Sequence, residues 1–268
     1  EACFEQGIEV VVLDRPNPLG GLKVDGPVME SRWMSYVGAY RIPYVHGLTI
    51  GELARMLKGV PGWLDVPENV RRQGKMTIVP MRGWKRRMVW PETGLRWVPT
   101  SPAIPDIAAV LGYPMTGLGA QIGGFKHGYG TAYPFRLLTY PGKTAPQIKR
   151  ALESFRIPGL SYEIINFRMP NGQVANGVYV KVTDYRILRP TERSWVMMTL
   201  AAQWAPGNPF RAASEAEARL FNKHVGSSHW WRELVTLGGE VDVSAFSNQC
   251  TAASREFQTF SRRFWIYE

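Results

Sequence analysis

The feature that constrains the fold most is an apolar, β-branched run near the start of the sequence, IEVVVL at residues 8–13. A run of this kind is typical of a strand that is buried on both faces of a parallel sheet. Residues 1–7 have the character of a helix end that is closed by Gly7. A helix end, a glycine and a buried strand form the second half of a β-α-β unit. We therefore predict an α/β domain that the chain enters partway, as the C-terminal portion of something longer.

A polar segment, DRPNP, follows this strand directly. In open α/β sheets ligands bind at the carboxyl ends of the strands, so Asp14, Arg15 and Asn17 are candidate ligand contacts. Each has a simpler alternative, since Asp14 and Asn17 can hold the turn and Arg15 can pair with Asp14. The prolines and glycines of residues 16–27 predict a rigid loop.

The rest of the sequence predicts two domains, 1–104 and 105–268, divided near the proline-rich segment PTSPAIP. In the first domain Thr49 and Glu52 have the spacing of a capping box and open a predicted helix. The second domain mixes helical and strand-like segments, which predicts an α+β fold. The predicted helices are 49–57, 106–111, 145–154, 213–224, 228–237 and 243–260, and the further predicted strands are 76–80 and 178–183.

The formal net charge of +10 favours an anionic partner, such as nucleic acid, a membrane surface or an acidic polymer. No recognised nucleic-acid-binding motif accompanies the charge, so we expect no nucleic acid partner. No apolar run reaches 18 residues, which predicts that no segment spans a membrane. The two cysteines, Cys3 and Cys250, have no metal-binding spacing, and no phosphate-binding glycine loop occurs. We therefore expect neither a metal nor a cofactor.

The chemistry with the best local support uses carboxylates. Glycoside hydrolysis needs two carboxyl groups beside the scissile bond, one to donate a proton and one to act as base or nucleophile. Asp14, Asp25 and Glu52 are the candidates, and His46 is a nearby proton carrier or sugar contact. The structural alternatives are a turn for Asp14 or Asp25 and a helix cap for Glu52. For His46 the alternative is a hydrogen bond within its loop.

Two long motifs resemble the NamZ-type exo-β-N-acetylmuramidases. They are VVLDRPNPLGGLKVDGP at residues 11–27 and SYVGAYRIPYVHGLTIGELARML at residues 35–57. Shorter segments along the rest of the chain are similar to the same family. They are GWKR, WVPTSP, GYGT with the following PF, GVYVKVTD and the terminal IYE.

The resemblance implies a fold and an activity. It implies the C-terminal half of a Rossmann-like parallel-sheet domain, followed by a smaller α+β domain, with the site in the cleft between them. It implies release of non-reducing terminal N-acetylmuramic acid from peptidoglycan fragments, without a cofactor, by an exported or periplasmic protein. The residues that this reading assigns to catalysis are Asp25, His46 and Glu52, and those that it assigns to substrate binding are Asp14, Arg15, Asn17, Tyr129 and Arg136.

The sequence departs from the family pattern in three places. The family's glutamate in an EHG motif, its leading catalytic candidate, lies upstream of LDRPNP and has no counterpart here. Ala103 replaces the asparagine of PSPN, and Tyr129 replaces the arginine of GRGT. These departures leave open an alternative function, a catalytically inactive protein on the same scaffold that binds peptidoglycan.

Overall fold

The computed structural model describes residues 1–268, and the chain forms two compact units. The first unit consists of Glu1–Val24, His46–Arg96 and Arg255–Glu268, and the second of Asp25–Val45 and Trp97–Ser254. Both units are discontinuous in sequence, whereas the prediction placed a single boundary near residue 104. None of the helices combines the length and the apolar character that crossing a bilayer requires.

The helices and strands are numbered in chain order. The helices are α1 (Ala2–Glu5), α2 (Ile50–Gly59), α3 (Glu68–Gln73), α4 (Ile107–Gly112), α5 (Ala145–Ser154), α6 (Pro190–Trp204), α7 (Glu215–Val225), α8 (Ser228–Leu237) and α9 (Val243–Ser261). The strands are β1 (Val10–Leu13), β2 (Asp25–Val28), β3 (Pro43–Val45), β4 (Met76–Val79), β5 (Leu137–Leu138), β6 (Leu160–Arg168) and β7 (Val174–Val182).

The first unit contains a parallel pair of strands. β1 and β4 pair from Val10 opposite Met76 to Leu13 opposite Val79. This parallel pair, together with the antiparallel strands of the second unit, confirms the predicted mixed α/β fold. The prediction that β1 is buried on both faces is wrong for this structure, because Val11 and Leu13 are 54% and 63% exposed. Their side chains alternate along β1 with the half-buried side chains of Val10 and Val12.

The capping box predicted before α2 is present. The Thr49 hydroxyl accepts a hydrogen bond from the backbone N–H of Glu52, and Oε2 of Glu52 accepts one from the backbone N–H of Thr49, both at 3.1 Å. These two bonds satisfy donors that the first turn of a helix leaves without partners. Because α2 begins at a residue fixed in this way, the segment before it, His46–Leu48, has a defined approach to the helix.

The second unit has an antiparallel sheet in the order β5-β7-β6. The hairpin of β6 and β7 pairs from Leu160 opposite Val182 to Arg168 opposite Val174. This sheet and helices α4 to α9 agree with the predicted α+β character of the second part of the chain.

Helix α6 is buried in the second unit and was not predicted. Trp195 of α6 packs edge-on against Trp230 and Phe246, with ring centroids 5.4 and 5.1 Å apart. Its polar residues Arg193 and Ser194 are also fully buried. The helix therefore lacks the alternation of apolar and polar faces by which a surface helix is recognised in sequence.

Candidate functional site

A buried polar network lies behind the DRPNP segment in the first unit. Its members are Asp14, Thr49, Glu52, Arg86 and Tyr267. Oδ1 of Asp14 accepts hydrogen bonds from the backbone N–H groups of Arg15 (2.9 Å) and Gly51 (2.8 Å). Oδ2 of Asp14 accepts from the hydroxyls of Thr49 (2.7 Å) and Tyr267 (2.6 Å). Asp14 thus joins the end of β1 to the first turn of α2, where the helix dipole also favours a negative charge.

Glu52 is fully buried within the same network. Its Oε1 accepts hydrogen bonds from Nη1 of Arg86 at 2.5 Å and from the backbone N–H of Ile266 at 2.9 Å. Its Oε2 makes the capping-box bond to Thr49. Both carboxylate oxygens therefore hold parts of this unit together, and neither faces solvent.

Arg86 links three segments of the first unit. Its Nη2 donates to the carbonyl oxygens of Gly21 and Gly47, both at 2.7 Å. The guanidinium carbon lies 3.6 Å from the ring centroid of Trp265, so the group also stacks on an aromatic face. Burial lowers the pKa of Arg86, and the hydrogen bond from Arg86 to Glu52 opposes that shift. Arg86 thereby holds the proline-rich loop and the approach to α2 in one arrangement.

Tyr267 closes the network from the C-terminal segment. Its hydroxyl accepts the backbone N–H of Met81 at 2.9 Å while it donates to Asp14. Burial, and then the bond to Asp14, raise the pKa of Tyr267 well above its ordinary value. Arg86 and Tyr267 are not among the site residues predicted from the sequence, because their partners are distant in sequence. Their only signal was their place in the GWKR and IYE segments of the family resemblance.

The side chains of Arg15 and Asn17 differ in whether they have hydrogen-bond partners within the chain. The amide of Asn17 donates to the carbonyl of Leu48 at 3.0 Å, and its Oδ1 accepts from the N–H of Leu19 at 2.9 Å. Asn17 thus shapes the loop and ties it to the approach to α2. The Arg15 side chain is exposed, and its guanidinium makes no hydrogen bond or ion pair within the chain. Arg15 is therefore a free cation at the carboxyl end of β1.

His46 precedes a turn that only glycine fits. Its Nδ1 accepts the backbone N–H of Leu48 at 3.1 Å, which leaves Nε2–H as a donor. Burial lowers the pKa of His46 to about 4, so the imidazole is neutral at pH 7. Gly47 has a φ of +67°, and a Cβ there would lie 2.9 Å from the carbonyl oxygen of Lys23. The turn therefore fixes the position of a neutral hydrogen-bond donor.

Asp25 belongs to the second unit. It is buried, and its Oδ2 accepts hydrogen bonds from the backbone N–H (2.8 Å) and the hydroxyl (2.9 Å) of Thr191. Thr191 lies in the first turn of α6, so Asp25 has the place of a helix cap supplied from a distant segment. This geometry favours a structural contribution of Asp25, and its catalytic role stays a prediction.

Tyr129 and Arg136 also lie in the second unit. Tyr129 is well exposed. Nη1 of Arg136 donates to the hydroxyl of Tyr179 at 2.5 Å, and its Nη2 lies 3.4 Å from Oδ2 of Asp106. Arg136 is thus held by two partners, whereas Tyr129 presents an open aromatic ring of the kind that stacks on sugars.

The structure brings together five of the residues selected from the sequence. Asp14, Arg15, Asn17, His46 and Glu52 all lie in the first unit, around the carboxyl end of β1 and the start of α2. Asp25, Tyr129 and Arg136 lie in the second unit. No group of three or more His, Cys, Asp or Glu side chains has an arrangement that could hold a metal ion. The first-unit cluster offers a free guanidinium and a neutral imidazole donor to a ligand, supported by two buried carboxylates.

Comparison with known sequences gives matches over nearly the whole chain. Residues 1–108 match the family described as exo-beta-N-acetylmuramidase NamZ, N-terminal, and residues 111–267 match its C-terminal counterpart. The peptidoglycan beta-N-acetylmuramidase NamZ of Bacillus subtilis (strain 168) is 36% identical over 190 residues. That match covers 69% of this chain and 43% of the relative, so the chain spans less than half the length of the curated protein it resembles.

Two solved structures share the fold. One is a crystal structure of a DUF1343 family protein from Bacteroides fragilis NCTC 9343, with a TM-score of 0.86 and 28% identity. Another DUF1343 family protein from the same organism has a TM-score of 0.68 and 22% identity. Each comparison covers all of this chain and 68% of the other chain.

Proposed function

Because this chain belongs to the NamZ family of exo-β-N-acetylmuramidases, we propose that it is part of a glycosidase that acts on peptidoglycan fragments. The finer proposal is that the enzyme releases N-acetylmuramic acid from the non-reducing end of these fragments. The observation that carries both statements is the match to the N-terminal and C-terminal family sequences over residues 1–108 and 111–267. The 36% identity to a curated peptidoglycan β-N-acetylmuramidase supports the substrate class.

In this proposal Arg15 recognises the acidic substituent of the sugar. Muramic acid differs from glucosamine by a lactyl ether that carries a carboxylate, and a guanidinium pairs with a carboxylate through two parallel hydrogen bonds. Arg15 is exposed at the carboxyl end of β1 and has no partner within the chain. Its neighbour Asp14 does not neutralise it by a side-chain contact, since the carboxylate of Asp14 receives four other hydrogen bonds.

His46 contributes a neutral hydrogen bond rather than a proton. With a pKa of about 4 it carries almost no imidazolium at neutral pH, which makes it a poor general acid there. Its Nε2–H suits a sugar hydroxyl or the carbonyl oxygen of an acetamido group. We propose that His46 binds the substrate in this way and that its turn at Gly47 fixes the direction of the bond.

The buried carboxylates of the first unit hold this binding surface in place. The carboxylate oxygens of Asp14 and Glu52 accept hydrogen bonds from the loop, from α2, from Arg86 and from the C-terminal segment. The catalytic roles predicted for Asp25, His46 and Glu52 have no direct support in these contacts. We therefore propose that the first unit of this chain contributes substrate recognition to the active site.

A protein that binds the cell wall without cleaving it is the second candidate. The observation that favours it is that Asp14, Asp25 and Glu52 are all buried and engaged in hydrogen bonds. Under either proposal the partner is a peptidoglycan-derived saccharide, and an exported location follows from where that substrate occurs.

An assay with two forms of the protein separates the candidates. The 268-residue chain and the complete product of its gene are incubated with the β-1,4-linked disaccharide of N-acetylmuramic acid and N-acetylglucosamine, and free muramic acid is measured. The glycosidase proposal predicts release by the complete product. Suppose that folded protein at high concentration binds the disaccharide in calorimetry but releases no muramic acid above a blank. That result would favour the binding protein. If the complete product shows no release and no binding, both candidates are refuted.

A further inference from the structure

Arg193 of helix α6 is a buried cation without a hydrogen-bond or ion-pair partner. Its side chain is fully inaccessible to solvent, and none of its three guanidinium nitrogens has a hydrogen-bond acceptor in the chain. The guanidinium carbon lies 5.5 Å from the ring centroid of Tyr162 on β6. The hydroxyl of Tyr162 is buried too and has no hydrogen-bond partner. Two unpaired donor groups of neighbouring elements therefore lie together in the interior of the second unit.

The carboxylates that could be expected to pair with Arg193 have other partners. Glu192 lies 2.8 Å from Nη2 of Arg189, and its side chain belongs to that ion pair. Glu153 pairs with Lys149 along the exposed side of α5 at 3.0 Å. Asp25 receives both hydrogen bonds of Thr191. No acidic side chain of the chain is within 4 Å of Arg193, so its charge has no compensation from an ion pair.

Neither Arg193 nor Tyr162 neutralises the buried positive charge by changing its own protonation state. An arginine side chain stays protonated in proteins. Burial raises the pKa of Tyr162 above its ordinary value; the charge of Arg193 opposes that shift, and the charges of Glu153 and Glu192 add to it. Tyr162 therefore stays a neutral hydroxyl at pH 7 and does not supply a phenolate to the guanidinium. An uncompensated charge in an apolar interior is strongly unfavourable.

We propose that Arg193 and Tyr162 form an internal binding site for one small monovalent anion, with chloride as its physiological occupant. The two side chains offer N–H and O–H donors and a single positive charge, which a monovalent anion balances. Tyr162 belongs to a close-packed apolar cluster with Leu152, Val180 and Leu188, all of them buried. Because the side chains around the pair are buried and apolar, a small ion is favoured over an organic acid. The site is independent of the proposed glycosidase function.

Thermal unfolding in defined salts tests the proposal. The protein is melted in sodium chloride and in sodium gluconate at one ionic strength, with the chloride fraction varied between them. An anion that binds only the folded state stabilises it by mass action, so the unfolding midpoint rises with the chloride concentration. The rise is about 2–4 °C when that concentration is ten times the dissociation constant. The Arg193→Met variant, which has similar volume and no charge, loses the chloride dependence. Arg219→Met, which removes an exposed arginine from α7, keeps it.

A conservative variant and a heavier halide locate the site. Tyr162→Phe removes one donor and keeps the packing, so it is expected to need several-fold more chloride for the same rise in midpoint. Crystals grown in bromide are expected to show an anomalous peak beside the guanidinium of Arg193. If the wild-type midpoint does not distinguish chloride from gluconate, or if Arg193→Met responds to chloride as the wild type does, the proposal is wrong. A bromide peak without a chloride-dependent midpoint also counts against it.

Discussion

Nη1 of Arg86 lies 2.5 Å from Oε1 of Glu52, and both side chains are withdrawn from solvent. The same guanidinium donates to the carbonyls of Gly21 and Gly47, which lie on two different loops. The ion pair therefore does more than balance two charges. It fixes the relative positions of the loop that carries Arg15 and the turn that carries His46, and those are the two groups that face a ligand in the proposed site.

Replacement of Arg86 is expected to destabilise the protein severely. Arg86→Met leaves the Glu52 carboxylate buried without its cation and two carbonyls without a donor, at a cost of about 3–5 kcal/mol. Urea unfolding measures the change. The matched control is Arg87→Met, which removes an exposed neighbouring arginine and is expected to change stability by about 0.5 kcal/mol or less.

The double variant Arg86→Met/Glu52→Gln distinguishes an unpaired charge from a loss of packing. Without the buried carboxylate, part of the stability lost in Arg86→Met is expected to return. A double variant that is less stable by the sum of the two single losses would show that the charge pairing contributes little.

Tyr267 is expected to stabilise the network through its hydroxyl. Tyr267→Phe removes the donor to Asp14 and the acceptor of the Met81 N–H, and a hydrogen bond to a charged group is worth about 1.5–3 kcal/mol. The free energy of unfolding should fall by an amount in that range. Tyr129→Phe, at an exposed tyrosine, serves as the control and should be neutral. Equal effects of the two variants would contradict the arrangement described for Asp14.

His46 makes the stability depend on pH in a predictable direction. Its pKa is about 4 in the folded protein, against about 6.5 for an unperturbed histidine. Between these values the unfolded chain binds a proton that the folded protein does not, so the contribution of His46 is complete above pH 6.5 and is lost as the pH falls toward 4.

His46→Asn is the matched variant, since its side-chain oxygen can still accept the N–H of Leu48 and does not titrate. Melting temperatures are measured for both proteins between pH 7 and pH 4.5. The wild type is expected to lose several degrees more than the variant over this range, because ~1 kcal/mol corresponds to ~2–4 °C in a protein of this size. Parallel curves would show that the imidazole is not desolvated.

Asp25→Asn decides between a structural and a catalytic carboxylate. The amide oxygen can still accept both hydrogen bonds from Thr191, so the geometry predicts a melting temperature close to that of the wild type. It also predicts that muramic acid release by the complete gene product falls by less than about tenfold. A loss of about 10²–10⁴-fold at an unchanged melting temperature, the usual size of a general acid–base contribution, would restore the catalytic assignment.

The sequence was most informative where a local rule decides the structure. The capping box of Thr49 and Glu52 and the parallel strand β1 follow from short patterns, and both are present. Helix α6 escaped prediction because polar residues such as Arg193 are buried in it. Burial of a polar side chain depends on partners that are distant in sequence, and no local period reveals it.

The candidate site was predictable to a similar extent. The position of Arg15 and Asn17 after β1 follows from the general rule for ligand sites in α/β sheets. The contribution of Arg86 does not, because its partners come from residues 21, 47, 52 and 265. In the sequence it looked like one of several basic residues in WKRR, and only tertiary structure separates the buried arginine from its exposed neighbours.

Arg15 is expected to set the preference for acidic sugars. Arg15→Met should weaken binding of the muramic acid–glucosamine disaccharide about tenfold or more, since the pair of charge-assisted hydrogen bonds to the carboxylate is lost. Chitobiose lacks the lactyl group, so its affinity should stay unchanged. The control is Arg82→Met, which removes another exposed arginine of the first unit and tests for a general effect of charge. Calorimetric titration gives all the affinities. If Arg15→Met weakened both sugars equally, the guanidinium would support the loop rather than recognise the carboxylate.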